Sequence, residues 1–405
     1  MTITSKLSIT QLPLADKKVL MRVDYNVPLD KNGEISDDSR IKASLPSIRY
    51  ALDQGASIIL LSHFGRPKGK KDPSLSLAPC AKRLGELLGR EVSFAPDCIG
   101  DFVEKLADKL QPGSLLMLEN LRFHPSEEKP DEDDKFAQLL ASLGDMYVND
   151  AFGASHRRHS SITSLAKCFP GEAAAGLNLA KEVHFLEMLV KNPAHPFYAM
   201  IGGAKISTKI GALKSLVAKV DLLLIGGGMA YTFLKAQGKS IGNSLCEMDF
   251  FDEAQEILDE AKARGVKILL PIDHVVVREI KEDAETMIVK ADKGILKGWQ
   301  GVDIGPKTVA FFYQEIEKSA LMLWNGPLGI FEIKKFSSGT IAIAKAIANL
   351  NGIKIVGGGD TLAAIKIAGI EDRITHLSTG GGATLEYLEF GSLPGIDALT
   401  DVTAD

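Results

Sequence analysis

The chain is predicted to be an α/β protein with two doubly wound, parallel-sheet (Rossmann-like) domains joined by an interdomain helix. Three observations predict this. Short runs rich in Val, Ile and Leu alternate with helical patterns along the whole length. Those runs are continuously apolar, as strands buried on both faces of a parallel sheet must be. And 405 residues exceed what one core organises, so two domains of roughly 200 residues each are expected.

In the N-terminal half, Val19–Val23, Ser57–Leu61, Val92–Phe94, Ser114–Leu118 and Asp145–Val148 read as strands. Ile41–Gln54, Leu77–Leu88 and Asp134–Leu143 read as the helices between them. Residues 1–176 are expected to form the first domain. In the segment 177–196, Leu179, Val183, Leu186 and Val190 repeat at spacings of four, three and four, which predicts an amphipathic helix. Asn192-Pro193-Ala194-His195-Pro196 breaks it, so a stiff connector with a hinge is expected there. Residues 197–392 form the second expected domain, with strands Phe197–Ile201, Asp221–Ile225, Lys267–Leu270, Ala320–Trp324, Ile353–Val356 and His376–Leu377.

Composition narrows the function classes. A net charge of −5 argues against nonspecific nucleic-acid binding. No apolar run approaches the roughly 20 residues of a membrane helix, and the polar start Met1–Thr10 lacks a signal core. Cys80, Cys98, Cys168 and Cys246 are scattered, without a CxxC pair, which points to a reducing, cytoplasmic compartment and away from a zinc or redox site.

Ligands of open α/β sheets bind beyond the carboxyl ends of the strands. In the N half those ends carry Asp24 and Asn26, then Arg40; His63 and Arg66; Glu119, Asn120 and Arg122; and Asn149, Asp150, His156 and Arg157. A lone surface Arg usually pairs with a nearby carboxylate. Arginines at several strand ends instead predict a small molecule with several negative charges, because the guanidinium fork matches carboxylate and phosphate oxygens.

The C half carries glycine where the N half carries Arg. Gly202-Gly203, Gly226–Gly228, Gly357–Gly359 and Gly380–Gly382 each follow an apolar run. Such turns let backbone N–H groups approach an anion, so a nucleotide phosphate site is expected. Gly202–Lys209 places Lys205 and Lys209 four apart, on one face if a helix starts there. Asp360, beside the triplet and Thr361, suits either an N-cap or a Mg²⁺–phosphate contact. Trp324–Glu332 reads as a rigid turn in which Asn325 and Glu332 serve a base or ribose. Gly65–Lys71 and Phe233–Ser240 lack P-loop spacing, and no GxGxxG opens a helix after the first strand.

Taken together, Arg22–Pro28, Ser62–Pro67, Leu118–His124, Asn149–His159, Gly202–Lys209, Trp324–Glu332, Gly357–Thr361 and Ser378–Ala383 resemble phosphoglycerate kinase in order and spacing, over essentially the whole chain. The resemblance implies reversible, Mg²⁺-dependent phosphoryl transfer between 1,3-bisphosphoglycerate and ADP, giving 3-phosphoglycerate and ATP. It implies that Asp24, Asn26, Arg40, His63, Arg66, Arg122 and Arg157 bind the phosphoglycerate. Lys205, Lys209, Gly227, Gly301, Asn325, Glu332, Gly357, Gly358, Gly359, Asp360 and Thr361 would bind the nucleotide, with Asp360 as the metal contact. Arg40, Lys209, Gly381 and Gly382 would face the transferred group. The resemblance also implies a monomer, with residues 393–405 returning to complete the first domain. Tyr25, where the family usually has a smaller or apolar residue, and Arg158, where Ala is common, are the departures.

Phosphoryl transfer needs positioning and charge neutralisation more than covalent chemistry. A carboxylate acceptor is already ionised at neutral pH, so no general base is required. With the two ligands on different domains, closure is expected to join them and exclude water. An NAD-dependent dehydrogenase would show a glycine fingerprint after the first strand, where Asp24-Tyr25-Asn26 stands instead. A two-lobed binding protein would not need Lys205, Lys209 and Asp360 beside a glycine loop.

Overall fold

The structure is a computed structural model that describes residues 5–130 and 134–402. Parts of the expected first domain and its C-terminal completion (1–4, 131–133 and 403–405) lie outside the described residues. The chain divides into two compact units, Met1–His184 with Ser392–Asp405, and Phe185–Gly391. The division falls inside the helix Leu177–Val190.

The first unit is built on six parallel strands: β1 (Lys18–Arg22), β2 (Ser57–Leu61), β3 (Ser93–Phe94), β4 (Leu115–Met117), β5 (Met146–Asn149) and β6 (Ala173–Ala175). Their order is β3-β4-β2-β1-β5-β6. Val19, Met21 and Val23 face a cluster with Ile41, Ile48 and Ala51 of the helix Ser39–Asp53 and Cys80, Ala81 and Leu84 of the helix Ala78–Leu88. Leu20, Ile59, Leu61 and Leu116, on the opposite pleat, are equally buried. Both faces are therefore covered, which is why these strands lack polar alternation. β6 was not expected. An Ala-Ala-Ala run has no β-branched side chain to mark it, and its pairing with β5 makes it a strand.

Asp150, just past β5, fixes the start of the helix Leu177–Val190. Its Oδ1 accepts from the backbone N–H groups of Asn178 and Leu179 at 2.9 and 3.1 Å. Leu179, Val183 and Leu186 of that helix are buried, as their spacing predicts, and Val190 is half-buried. The C-terminal segment packs on the first unit. Thr400 N–H donates to Ala173, Gly395 N–H donates to Ser155, and Asn149 Nδ2 donates to the Gly395 carbonyl.

The second unit holds β7 (Phe197–Ile201), β8 (Leu222–Ile225), β9 (Lys267–Leu269), β10 (Asp273–Val277), β11 (Met287–Lys290), β12 (Gln300–Ile304), β13 (Leu321–Asn325), β14 (Ile353–Gly357) and β15 (His376–Ser378). Six of them make a parallel sheet in the order β15-β14-β13-β7-β8-β9. Met200, Leu224, Met322, Trp324 and Val356 pack on Phe312, Ile316, Ile343, Ile347 and Ile365 from three helices.

The parallel sheet is the one the sequence predicts, and the structure adds a second, smaller sheet beside it. β11-β10-β12 form a separate antiparallel sheet. Their runs are short, and Met287 and Ile288 stay exposed, so the pattern of a doubly buried strand is absent. This small sheet places Gly301 opposite Val276.

Asp273, on β10 and fully buried, ties that sheet to the helix Pro306–Ile316, whose own N-cap Gly305 has no side chain to offer. Its carboxylate accepts from Lys307 N–H at 3.0 Å and from Thr308 N–H at 2.8 Å. Asp273→Ala strands these donors and is expected to cost about 2 kcal/mol in urea unfolding. A loss below about 0.5 kcal/mol, the level of an ordinary surface change, would refute the cap.

Candidate functional site

Each unit gathers a distinct set of groups at the carboxyl edge of its parallel sheet.

In the first unit, β1, β2, β4 and β5 end on that edge. Asn120 welds two of the following loops together. Its Oδ1 accepts from Phe64 and Arg122 N–H, and its Nδ2 donates to the carbonyls of Phe64 and Leu75. Asn26 Oδ1 accepts from Gly65 N–H at 3.0 Å, and Arg122 Nη1 donates to the Gly65 carbonyl at 2.7 Å. Arg40 Nη1 donates to Asp24 Oδ2 at 3.0 Å and to the Asn26 carbonyl at 3.2 Å. So Asp24, Asn26, Arg40, His63 and Arg122 share one connected set of loops. Arg66 and Arg157 are exposed and form no ion pair among the described residues.

Two of the four arginines do have carboxylate partners, Arg40 with Asp24 and Arg122 with Glu128, each at 3.0 Å. The histidines at these strand ends carry little charge. Burial lowers His63 well below its ordinary value, and the charges of Arg22 and Arg122 push the same way. Burial, then Arg22 and Arg122, lower His159 to about 3. Burial and then Arg157 lower His156. Arginine alone makes this edge positive at neutral pH.

Sequence reasoning missed Arg22, Glu127 and Ser161, which lie buried beneath this edge. An Arg inside the otherwise apolar run Val19–Val23 was the available signal. Tyr25, the departure from the family pattern, is also buried, and its hydroxyl pairs with Ser44 Oγ at 2.7 Å. Asp97, Cys98 and His124 bring three ligating atoms within 4.8 Å of one another. Their own hydrogen bonds close that cluster: His124 Nε2 to Asp97 at 2.6 Å, and the Cys98 thiol to the Glu119 carbonyl at 2.9 Å.

The second unit presents a cavity of about 450 Å³. Gly203, Gly227 and Gly228 line one part, Gly301 and Asp303 another, and Leu328, Glu332 and Asp360 also border it. Leu245 and Ile280, half-exposed apolar side chains, sit at the same cavity. Gly227 has φ +66°, and a Cβ there would meet Gly203 backbone atoms at 2.6 Å. At Gly301 a Cβ would lie 1.7 Å from Tyr231 Oη. Neither position tolerates a side chain without moving a wall of the cavity. Asp303, buried and held by Ile304 and Gly339 N–H, is a lining residue the sequence reading missed.

Lys205 and Lys209 would share one face only if a helix started before them, and it starts after them. The helix is Ile210–Val217, with Lys209 at its N-cap and Lys205 exposed in the preceding turn. Ser207, between them, donates twice to Glu247, which pins the turn away from helical geometry. Lys209 Nζ donates to the carbonyls of Gly202 and Asn325 and to Asn325 Oδ1. Asn325 Nδ2 is buried without a hydrogen-bond partner among the described residues, beside Gly357 and Gly358. Gly358 is the N-cap of the helix Gly359–Ala368, whose first turn holds the exposed Asp360. Thr361 is fully buried, and its hydroxyl accepts from Gly326 N–H at 2.7 Å. Gly381 caps the helix Gly382–Phe390. An orphaned amide donor, a lysine and helix N-termini together suit phosphate oxygens.

The model of the phosphoglycerate kinase family matches residues 9–390. A phosphoglycerate kinase of Koribacter versatilis is 52% identical over 404 residues, covering 98% of this chain and 100% of the relative. One from Dictyoglomus turgidum is 54% identical over 389 residues, 96% of each. Among solved structures, phosphoglycerate kinase from Coxiella burnetii superposes with a TM-score of 0.86 at 41% identity, covering 97% of this chain and 98% of that one. The Pyrococcus horikoshii enzyme gives 0.85 at 31% identity, with the same coverage.

Burial lowers Lys209 to about 8, against the weaker raising effect of Asp360. The folded value lies below the unfolded one of about 10.4, so between them the unfolded chain binds more protons and stability rises with pH. Lys209→Met is expected to flatten the rise in urea midpoint between about pH 8 and 10. An unchanged slope would contradict the lysine's burial.

Proposed function

Because this chain belongs to the phosphoglycerate kinase family, we propose that its first unit holds the phosphoglycerate and its second the nucleotide. The reaction is the family's, reversible phosphoryl transfer between 1,3-bisphosphoglycerate and ADP to give 3-phosphoglycerate and ATP. The observation that carries the division is the sorting of groups: arginines at the edge of one sheet, and a glycine-walled cavity with an orphaned amide at the other.

In the first unit, Arg66, Arg122 and Arg157 neutralise the phosphoglycerate's phosphate and carboxylate, while Asp24 and Asn26 order the loops that present them. His63 adds a neutral hydrogen bond. Arg40, held by Asp24 but only partly buried, is free to swing toward the group in flight. In the second unit, Gly227, Gly301 and Leu328 flank the base, Glu332 accepts from ribose hydroxyls, and Lys205 with Gly357, Gly358 and Gly359 takes the phosphates. Thr361 supports that loop from beneath. Asp360 has the exposed carboxylate that Mg²⁺ binding calls for, with nucleotide phosphates completing the shell. When bound, the ion would spread charge on the phosphates. The cofactor is thus Mg²⁺ with ATP or ADP as substrate.

In the direction that consumes ATP, the 3-phosphoglycerate carboxylate attacks the terminal phosphorus as its bond to the ADP oxygen breaks and ADP leaves, and no side chain has to remove a proton. Lys209 exchanges its carbonyl partners for the transferring oxygens, and Gly381 and Gly382 offer N–H groups to the same oxygens. Domain closure brings the two ligands together. The working protein is a cytoplasmic monomer, consistent with its four free thiols.

By analogy with arginine fingers, Arg40→Ala is expected to lower kcat about 10³–10⁵-fold in a coupled assay of ADP-dependent 1,3-bisphosphoglycerate consumption. A variant that keeps more than about a tenth of wild-type kcat would remove Arg40 from the transition state.

A further inference from the structure

Beneath the basic edge of the first unit, Arg22 and Glu127 are each wholly buried. Burying a guanidinium is costly unless its nitrogens find partners and its charge is balanced. Here each nitrogen has a partner. Arg22 Nε donates to Ser161 Oγ at 2.8 Å, Nη1 donates to the Val23 carbonyl, and Nη2 reaches His63 Nδ1 at 3.1 Å. Ser161 in turn donates its hydroxyl to Glu127 Oε1 at 2.7 Å and its backbone N–H to Oε2 at 2.9 Å. Glu127 balances Arg22 at 3.9 Å.

The contact with His63 has a chemical consequence. A guanidinium can only donate, and it keeps its protons at any working pH. Nδ1 of His63 must therefore accept, and a neutral imidazole that accepts at Nδ1 carries its proton on Nε2. We propose that Arg22 and Glu127 are positioning residues that fix His63 as a neutral imidazole protonated on Nε2, so that it offers the phosphoglycerate a hydrogen-bond donor. The inference rests on placing His63 in the phosphoglycerate site.

The surroundings support the assignment. The charged and titratable groups around His63 are Arg22, Arg122, His159 and Arg40, all of which oppose an imidazolium, as does burial. Burial raises the Glu127 carboxyl above its ordinary value, and Arg22, the Ser161 donors and Arg122 pull against it; Cys98 and Tyr147 are the other titratable groups that feel its charge. Glu127 Oε1 also lies 3.7 Å from His159 Nδ1. The site thereby gains a donor without a charge that would titrate in the physiological range, and phosphoglycerate affinity is decoupled from His63 ionisation.

Long-range ¹⁵N–¹H NMR of the intact protein, labelled at histidine and assigned with His63→Gln, reads the tautomer directly. The expected result is one neutral Nε2–H form from about pH 5.5 to 8. An Nδ1–H form, or an imidazolium that titrates in that range, would overturn the proposal without any core variant having to fold. In folded Arg22→Met the Nδ1–H form should appear. Both Arg22→Met and Glu127→Gln should raise KM for 3-phosphoglycerate about tenfold while kcat changes by less than about threefold. An unchanged tautomer in Arg22→Met would also overturn the proposal. Adding 3-phosphoglycerate should shift the His63 Nε2 signal. If the tautomer is as stated and that signal does not move, the placement of the ligand fails and the tautomer assignment stands.

Discussion

A parallel strand ends on the same edge as its neighbours, and both candidate sites depend on that geometric fact. Each βα unit returns the chain through a covering helix, so every strand releases its next residues at one rim. In the first unit β1, β2, β4 and β5 release Asp24, His63, Arg122 and Arg157. In the second, β7 and β8 release Gly203 and Gly227, and β13 and β14 end on Asn325 and Gly357. The residues of each site are far apart in sequence yet need no long loop to meet. The continuous burial of β1 and β2 on both faces holds that edge rigid.

Buried polar groups then set the loops. Asn120 uses its side-chain oxygen and nitrogen to join two loops of the first unit. Asp150 anchors the helix that leads out of that unit, and burial pushes its carboxyl up to about 7 despite the N–H donors of Asn178 and Leu179. Asp303 stands in a similar position beside the cavity of the second unit, also raised to about 7 by burial. Each lowers the freedom of backbone that must meet a ligand, which is what a reaction run by positioning and charge neutralisation requires. Charge is placed sparingly. Arginine supplies it in the first unit, while the neighbouring imidazoles stay neutral.

The βα rhythm, the parallel sheets and the clustering of Asp24, Asn26, Arg40, His63 and Arg122 were legible because apolar runs and strand-end residues are local signals. What was not legible depended on tertiary contact. β6 is Ala-only and exists through its pairing with β5. The antiparallel sheet β11-β10-β12 is half solvated, so it lacks a doubly buried pattern. The turn from Lys205 to Lys209 has helical spacing but is held out of a helix by Glu247, 40 residues on from Ser207. Glu127 and Ser161 look like surface polar residues in sequence, and only the fold reveals that Glu127 balances the charge of Arg22 while Ser161 accepts from its Nε.

The central claim is that the phosphoglycerate is held by the first unit and the nucleotide by the second. Isothermal titration of two variants with both ligands tests it most directly. Arg66 is exposed and without an ion pair among the described residues, and Gly301 has no room for a methyl group. Arg66→Ala should weaken 3-phosphoglycerate at least about tenfold and leave Mg-ADP within about twofold, and Gly301→Ala should do the reverse. A variant that weakens both ligands alike, or the opposite pairing of variant and ligand, would contradict the account.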